Sequence, residues 1–265
     1  MAFDHRQVLS LIRQQADALC DCLDGLAEPD WEKPTACTEW NVADVVAHLS
    51  SGATVQRRAL DRGLQGDTSP LWTDPAERLA LSRAKRDIPA AEKAADYRQG
   101  MAELLPLFER LQPEDLDRKS AWHQSGVHPI RWFFTQRLGE TTFHARDIHI
   151  GLGRPAGIPE DVARVLLPAY LDRLKRLFQP GQPGDLRASI AFGGAGRIDV
   201  ADGAGEYLPD GSSAGADLSL QGSAETLVLI ATGRLEPKEA VAAGQLRAQG
   251  DTGLIERWRE IFRPL

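Results

Sequence analysis

Four long segments in the first 150 residues repeat their apolar side chains at the period of an α-helix. They cover about residues 4–27, 42–61, 97–111 and 130–151, and a shorter helical segment lies at about 76–86. Proline or glycine follows each long segment, and Asn41 provides an N-cap for the second one. Helices with one apolar face are stabilised mainly by packing together, so the sequence predicts a four-helix bundle.

A run of proline and glycine, QPGQPG at residues 179–184, separates two regions of different character. Before the run, one more helix is expected at about 159–178. After it, alternating polar and apolar residues predict strands, with a helix capped by Ser223 and a last helix at 252–262; the strands lie at 187–192, 197–200 and 217–220. The expected fold class is therefore α plus α+β. Its predicted parts are a helical bundle at 1–155, a connecting helix and linker at 156–184, and a small α+β domain at 185–265.

Charge and composition exclude several classes of protein. The formal net charge is −7 and no basic block occurs, which argues against binding to nucleic acid or to an anionic membrane surface. No apolar run approaches the roughly 20 residues that span a bilayer, and the first residues do not form a secretory signal. Three cysteines are an odd and sparse set, which argues against a disulfide framework. We expect a cytoplasmic protein that acts on a small molecule.

His48, Glu140 and His144 form a candidate metal site. Glu140 and His144 are four residues apart in the fourth predicted helix, so their side chains project from one face. The apolar stripe of the second predicted helix carries His48 inward. If the two faces meet, two imidazoles and one carboxylate provide three ligands and leave a coordination position open, as in catalytic zinc sites.

Asp147 is expected to stabilise this site without binding the metal itself. Its carboxylate, three residues after His144, either holds the second nitrogen of a ligand imidazole or pairs with an arginine. Arg78 and Arg137 are the candidate arginines.

Other interpretations of these residues remain open at this point. A Glu and a His four apart occur by chance, and a single interior histidine is more often hydrogen-bonded than a metal ligand. His123 and His128, in a predicted loop before the fourth helix, are reserve ligands. Cys37 is a second candidate for reactivity, although a lone cysteine without a neighbouring base is usually inert.

Two stretches of the chain resemble the signatures of the mycothiol-dependent maleylpyruvate isomerase family, within the DinB-like superfamily. The first is TACTEWNVADVVAHL at residues 35–49, and the second is RLGETTFHARDI at residues 137–148. Many family members carry Pro-Gly before the tryptophan, where this chain has Thr38 and Glu39, but the three ligand positions are kept. Residues 220–227, 233–234, 250–251 and 254 are similar to the sterol-carrier-like domain that many members append.

The resemblance implies a DinB-like four-helix bundle in which His48, Glu140 and His144 bind a divalent metal. Zinc is the first choice, with nickel and iron as alternatives. The resemblance also implies a low-molecular-weight thiol cofactor, such as mycothiol or bacillithiol, that supplies the nucleophile. Arg234, in the second domain, is then a candidate for holding a carboxylate of the substrate or of the thiol.

The leading functional hypothesis is a metal-dependent and thiol-dependent transferase or isomerase. In it, the metal activates the thiol for attack on a small electrophilic substrate. One alternative is a metal-dependent hydrolase that uses water at the open position. A second alternative is a non-catalytic protein that binds a metal or carries a small molecule. Dependence on an added thiol separates the first two hypotheses, and turnover separates both from the third.

Overall fold

A computed structural model describes residues 3–72, 74–122, 126–178 and 186–263. The chain divides into two compact units, Met1–Gly157 and Ile158–Leu265. His123 and the proline- and glycine-rich run at 179–184 lie outside the described residues. In the described ranges, no helix is both long enough and apolar enough to cross a membrane.

Five helices build the first unit: α1 (His5–Asp24), α2 (Val42–Leu64), α3 (Pro75–Arg86), α4 (Ala90–Arg110) and α5 (Ile130–Gly151). Helix α1 packs against α4 and α5, and α2 packs against the same two helices. The four long helices therefore close a ring around a shared core, which confirms the predicted bundle. Fully buried side chains from all four fill it: Ile12, Leu19, Leu49, Leu60, Leu104, Phe108, Phe133 and Phe134.

Side-chain caps fix where the first two helices begin. Asp4 accepts hydrogen bonds from the backbone N–H groups of Arg6 and Gln7 at the start of α1. At the start of α2, Asn41 Oδ1 accepts from the backbone N–H of Asp44 at 2.8 Å, and Asp44 Oδ2 accepts from that of Asn41 at 3.3 Å. This reciprocal capping box sets the register of α2, so His48 lies almost two turns inside the helix.

The segment between α4 and α5 is a hairpin, where the sequence predicted a loop. Strands β1 (Lys119–Trp122) and β2 (Gly126–Pro129) pair antiparallel. Ser120 anchors β1 to the bundle by donating to the Ala59 carbonyl at 2.6 Å. His128 is buried and stacks on Trp132, with ring centroids 4.1 Å apart. Because this tertiary packing stabilises the strands, four-residue segments form a hairpin that their own propensity did not predict.

The second unit contains a five-stranded mixed sheet in the order β5-β4-β3-β6-β7. Its elements are α6 (Glu160–Leu174), β3 (Ala188–Phe192), β4 (Arg197–Ala201), β5 (Ala204–Leu208), β6 (Leu218–Gly222), α7 (Ala224–Ala231), α8 (Pro237–Ala242), β7 (Leu246–Gly250), α9 (Gly253–Glu256) and α10 (Trp258–Ile261). Strands β3 and β6 pair in parallel, and the other three pairs are antiparallel. Helix α6 packs against α7. The unit is α+β, as expected from the sequence.

Four elements of this unit differ from the sequence prediction. The short helix α8 was not predicted. Strands β5 and β7 were not predicted either, and they are the two edge strands of the sheet. Their sequences, AGEYL and LRAQG, lack a regular apolar alternation, since edge strands tolerate polar residues and glycine. The single last helix expected at 252–262 is instead two short helices, α9 and α10, which separate at Arg257.

Candidate metal centre

Helices α2 and α5 bring His48, Glu140 and His144 together in the first unit. His48 Nε2 lies 3.0 Å from Glu140 Oε2, and His144 Nε2 lies 3.6 Å from the same oxygen. One donor atom from each residue lies within 4.8 Å of the other two. The two imidazole rings meet edge to face, with centroids 4.9 Å apart.

This spacing fits a single divalent ion. Two ligands that each lie about 2.1 Å from one ion at a tetrahedral angle are about 3.4 Å apart. The 3.0 Å and 3.6 Å separations from Glu140 Oε2 bracket that value. The donor set of two imidazoles and one carboxylate suits zinc and other borderline metals. His48, Glu140 and His144 are therefore the residues that would hold a metal.

Glu140 is positioned by a residue one turn earlier on α5. Gln136 Nε2 donates to Glu140 Oε1 at 2.9 Å, which leaves Oε2 directed at the two histidines. Burial alone would raise the pKa of Glu140. The hydrogen bond to His48 and the electrostatic interactions with His144, His48 and Arg137 outweigh burial and hold that pKa well below its usual range. Glu140 is therefore a carboxylate at neutral pH, the form that binds a cation.

Asp147 lies behind His144, on the side away from the other two ligands. Its Oδ2 is 3.2 Å from His144 Nδ1, while Nε2 of the same ring faces Glu140. Asp147 is 1% exposed, so its carboxylate lies in the protein interior. A carboxylate at the second nitrogen of a ligand imidazole fixes the ring and increases its basicity.

The loop between residues 34 and 41 covers this histidine pair. The Trp40 ring lies 4.9 Å from the His48 ring and 6.1 Å from the His144 ring. The Ala36 N–H donates to the backbone carbonyl of Asp147 at 3.2 Å, which fastens the loop to α5. At Gly151, a Cβ atom would lie 2.1 Å from the Pro34 carbonyl oxygen, so only glycine permits this close approach.

Cys37 belongs to the same loop and lies near the back of the site. Donor atoms of Cys37, His144 and Asp147 lie within 4.8 Å of one another, in a second cluster that shares His144 with the first. The sequence placed no base beside this thiol, but the fold places an imidazole and a carboxylate there.

A small cleft, with a cavity volume of about 70 Å³, opens beside the side chains of His48, Glu140 and His144. His48 and Glu140 form part of its wall, together with Gln56, Arg78, Trp122 and Arg137. A ligand in this cleft would therefore contact the side of the donor set opposite Asp147.

Two guanidinium groups face the cleft without a carboxylate partner among the described residues. Arg137 is 2% exposed, donates weakly to the Leu49 carbonyl at 3.4 Å, and has a buried Nε with no hydrogen-bond partner. Arg78 projects from α3 and lines the opposite part of the cleft wall. Both charges make the cleft a favourable place for an anion.

Comparison with known proteins places the chain in a family. Residues 12–149, just over half of the chain, match the profile of the mycothiol maleylpyruvate isomerase N-terminal domain. The chain belongs to this family. Residues 191–263 match a second profile, the SCP-2 sterol transfer family, so the mycothiol maleylpyruvate isomerase domain is followed here by an SCP-2-like domain. No curated protein matches the chain significantly.

Two crystal structures share the fold of this family member over nearly its whole length. They are the mycothiol-dependent maleylpyruvate isomerase and a variant of it with one histidine changed to alanine. Each is 14% identical to the chain. The superposition covers 93% of this chain and 93% of each crystal structure's chain, with a TM-score of 0.66. At this identity the likeness establishes the architecture of the family member.

The sequence-predicted residues fall into three groups in the structure. His48, Glu140, His144 and Asp147 lie together. Arg78 lines the cleft rather than the Asp147 side of the site. Arg234 follows α7 in the second unit, and its role stays a prediction.

Sequence reasoning missed two contributions to the site: Gln136 holds Glu140, and Trp40 packs against both histidines. Arg137, a candidate partner of Asp147 in the sequence, lines the cleft. The spacing of Gln136 and Glu140, four residues apart, was a usable signal, since such pairs face each other on a helix. The contact of Trp40 with the histidines depends on how the loop folds, and no spacing in the sequence encodes it.

Proposed function

We propose that this protein is an enzyme that uses a divalent metal and a low-molecular-weight thiol to isomerise, or transfer the thiol to, a small anionic electrophile. The observation that carries the proposal is the convergence of His48, Glu140 and His144 beside a cleft whose wall includes His48 and Glu140. Membership of the mycothiol maleylpyruvate isomerase family supports an enzyme of this type, with mycothiol as the first thiol to test.

In this proposal the metal, its ligands and the residues around them have separate roles. A bound divalent metal would stabilise the thiolate form of the cofactor at neutral pH. Glu140 supplies the negative charge of the donor set, and Gln136 holds its orientation. Trp40 packs against both imidazole rings, and Asp147 contacts the Nδ1 atom of His144. The ligands are thus held in place before a cofactor arrives, which limits the ordering cost of binding.

The nucleophile comes from outside the protein. The described residues that line the cleft include no cysteine. A thiol cofactor held beside the ligands would attack an activated carbon–carbon double bond to form a carbon–sulfur bond. Rotation about the resulting single bond, followed by loss of the same thiol, would give the other geometric isomer. Retention of the thiol instead would give a transferase product.

Arg78 and Arg137 support an anionic electrophile as the substrate. Both guanidiniums line the cleft, and the buried Nε of Arg137 has no hydrogen-bond partner among the described residues. A substrate carboxylate bound there would lie beside the donor set and would offset the cost of burying the Arg137 charge. An unsaturated dicarboxylate such as maleylpyruvate satisfies both charges.

A metal-dependent hydrolase is supported less well by the same cleft. Hydrolysis needs a base to take a proton from water, and carboxylates or histidines usually act in that role. Glu140 is the only acidic residue, and His48 the only histidine, among the described residues lining the cleft, and both are in the donor set. The wall therefore provides no separate general base.

The test is a comparison of thiol-dependent and water-dependent turnover by the full-length protein. Bound metal is measured first by elemental analysis, and maleylpyruvate conversion to its trans isomer is then followed with mycothiol, with bacillithiol and without thiol. Loss of turnover with a chelator, and in His48→Ala, is expected. The exposed Gln14→Leu on α1 serves as the control variant with full activity.

Three results would contradict the proposal. Isomerisation at equal rates without thiol would indicate an enzyme that does not use a thiol, and cleavage of the substrate by water would indicate the hydrolase. Metal binding without turnover of any unsaturated acid would favour the binding-protein alternative. Unchanged metal content in His48→Ala would contradict the assignment of the donor set.

A further inference from the structure

His144 presents its two ring nitrogens to two different donor sets. Nε2 faces Glu140 at 3.6 Å, and Nδ1 lies 3.2 Å from Asp147 Oδ2. The donor atoms of Cys37, His144 and Asp147 lie within 4.8 Å of one another, as do those of the first cluster. The imidazole therefore stands between two groups of potential ligands.

The Nδ1 atom of His144 is buried, and its 3.2 Å contact with the Asp147 carboxylate does not have the geometry of a hydrogen bond. A buried polar atom without a partner costs free energy, so some interaction at this position is favoured. His144 itself is 8% exposed, which places the nitrogen in the protein interior.

Cys37 adds a soft donor to this environment. Three hydrogen bonds from backbone N–H groups hold its loop. The Cys37 N–H donates to Thr35 Oγ1 at 3.1 Å, and the Trp40 N–H donates to the Cys37 carbonyl at 3.1 Å. The Ala36 N–H donates to the Asp147 carbonyl. The thiol is thus held near α5 by the fold. Cys37 is only partly buried, so an ion can reach it from solvent.

We propose that Cys37, His144 Nδ1 and Asp147 form a second metal site, selective for thiophilic divalent cations such as cadmium or excess zinc. Sulfur, imidazole and carboxylate ligands together favour such ions over harder ones. Binding forms a metal–sulfur bond and releases the Cys37 thiol proton to solvent. Small side-chain rotations close the cluster to the roughly 3.5 Å that separates two ligands of one cation.

The two sites exclude each other. A neutral imidazole has one lone pair for coordination, and its other nitrogen carries the proton. When Nδ1 binds a cation, Nε2 is protonated and no longer serves the first site. A thiophilic cation at Cys37 therefore removes one ligand from the cleft and inactivates the enzyme reversibly.

The test is cadmium titration of the metal-free full-length protein. Sulfur-to-cadmium charge-transfer absorption in the ultraviolet reports a bond to thiolate, and equilibrium dialysis gives the stoichiometry. Four proteins are compared: the wild type, His48→Ala, Cys37→Ser and Cys22→Ser. Cys22 lies on α1, outside both donor clusters, and controls for thiol loss in general. Far-ultraviolet circular dichroism verifies that each variant is folded.

We expect the absorption band in the wild type, in His48→Ala and in Cys22→Ser, and its loss in Cys37→Ser. The wild type is expected to bind one cadmium rather than two, since His144 cannot serve both sites. A band that persists in Cys37→Ser, or its absence from the wild type or from His48→Ala, would overturn the second site. Two cadmium ions per wild-type chain would overturn the mutual exclusion. Metal content and thiol-dependent turnover of Cys37→Ser test the first site separately.

Discussion

Glu39 adopts a backbone conformation that glycine adopts more easily. Its φ angle is +68°, in the left-handed region. For a residue with a Cβ atom this conformation costs about 1–2 kcal/mol. Glycine avoids that cost but loses about 0.5–1 kcal/mol of backbone entropy on folding. We expect Glu39→Gly to raise the free energy of unfolding by about 0.5–1 kcal/mol, measured by urea denaturation.

Glu39→Ala is the control for this prediction. The Glu39 side chain is exposed, so its removal alone is expected to change little. Alanine retains the Cβ atom and therefore the strain. Equal stabilisation by both substitutions would show that the side chain, rather than the backbone angle, is responsible.

Gln136 provides a second prediction at the residue scale. Its amide donates to Glu140 Oε1 at 2.9 Å, and Gln136→Leu removes that hydrogen bond while keeping the side-chain volume. We expect metal affinity to fall by about 10- to 100-fold, because the carboxylate loses its fixed orientation. Competition with a chromophoric chelator measures the affinity. Gln14→Leu, at an exposed position of α1, is expected to leave it unchanged; an equal loss in both variants would contradict this role.

The site could be predicted only in part, and individual residues show why. His48, Glu140 and His144 could be found because helical periodicity fixes the direction of each side chain. The position of Cys37 could not, since it depends on a loop held by the Ala36 hydrogen bond to α5. Arg78 was expected near Asp147, but α3 places it at the cleft, and sequence spacing says nothing about how a separate short helix lies on a bundle.

Helix α3 is held at its C-terminal end by a buried lysine from α4. Lys93 is 4% exposed, and its Nζ donates to the carbonyls of Lys85 at 3.2 Å and Arg86 at 2.7 Å. These carbonyls lie in the last turn of α3, where a positive charge is favourable. Because α3 also carries Arg78, which lines the cleft, the Lys93 hydrogen bonds help to position part of the cleft wall.

We expect Lys93→Met to lower the free energy of unfolding by about 1–3 kcal/mol, because two carbonyls in the last turn of α3 lose a charged donor. Hydrogen exchange of the α3 amides is expected to accelerate more than that of α2, and KM to rise more than kcat falls. Lys238→Met removes an exposed ion pair with Glu256 in the second unit and is expected to change neither quantity. Unchanged exchange in α3 would contradict the anchoring role.

Secondary structure was predicted correctly where the apolar residues of the sequence repeat at a regular period. The bundle helices and strands β3, β4 and β6 have clear apolar repeats, and all were predicted. The pairs β1–β2 and the edge strands β5 and β7 were missed, because their formation depends on partners rather than on their own pattern. Sequence periodicity thus predicts helices with an apolar face and interior strands better than edge strands.

At the scale of the whole molecule, the proposed metal ligands all belong to the first unit. We therefore expect metal to stabilise Met1–Gly157 selectively. Free metal at 100 times its dissociation constant adds about 2.7 kcal/mol. In scanning calorimetry, a chelator is expected to lower the unfolding midpoint of one transition and leave the other unchanged. His48→Ala is expected to show the lower midpoint without chelator; equal shifts of both transitions would contradict the assignment.

The packing of α1 against α5 has a consequence for synthesis of the chain. About a hundred residues separate the end of α1 from the start of α5. At roughly 5–20 residues per second, a ribosome takes about 5–20 seconds to translate that interval. Until α4 is made, the apolar face of α1 lacks both of its neighbours, and afterwards it still lacks α5. Throughout this time Glu140 and His144 are not yet available to His48. Chaperone contact with the nascent chain is therefore expected to concentrate on α1, and metal capture must wait until α5 has left the exit tunnel.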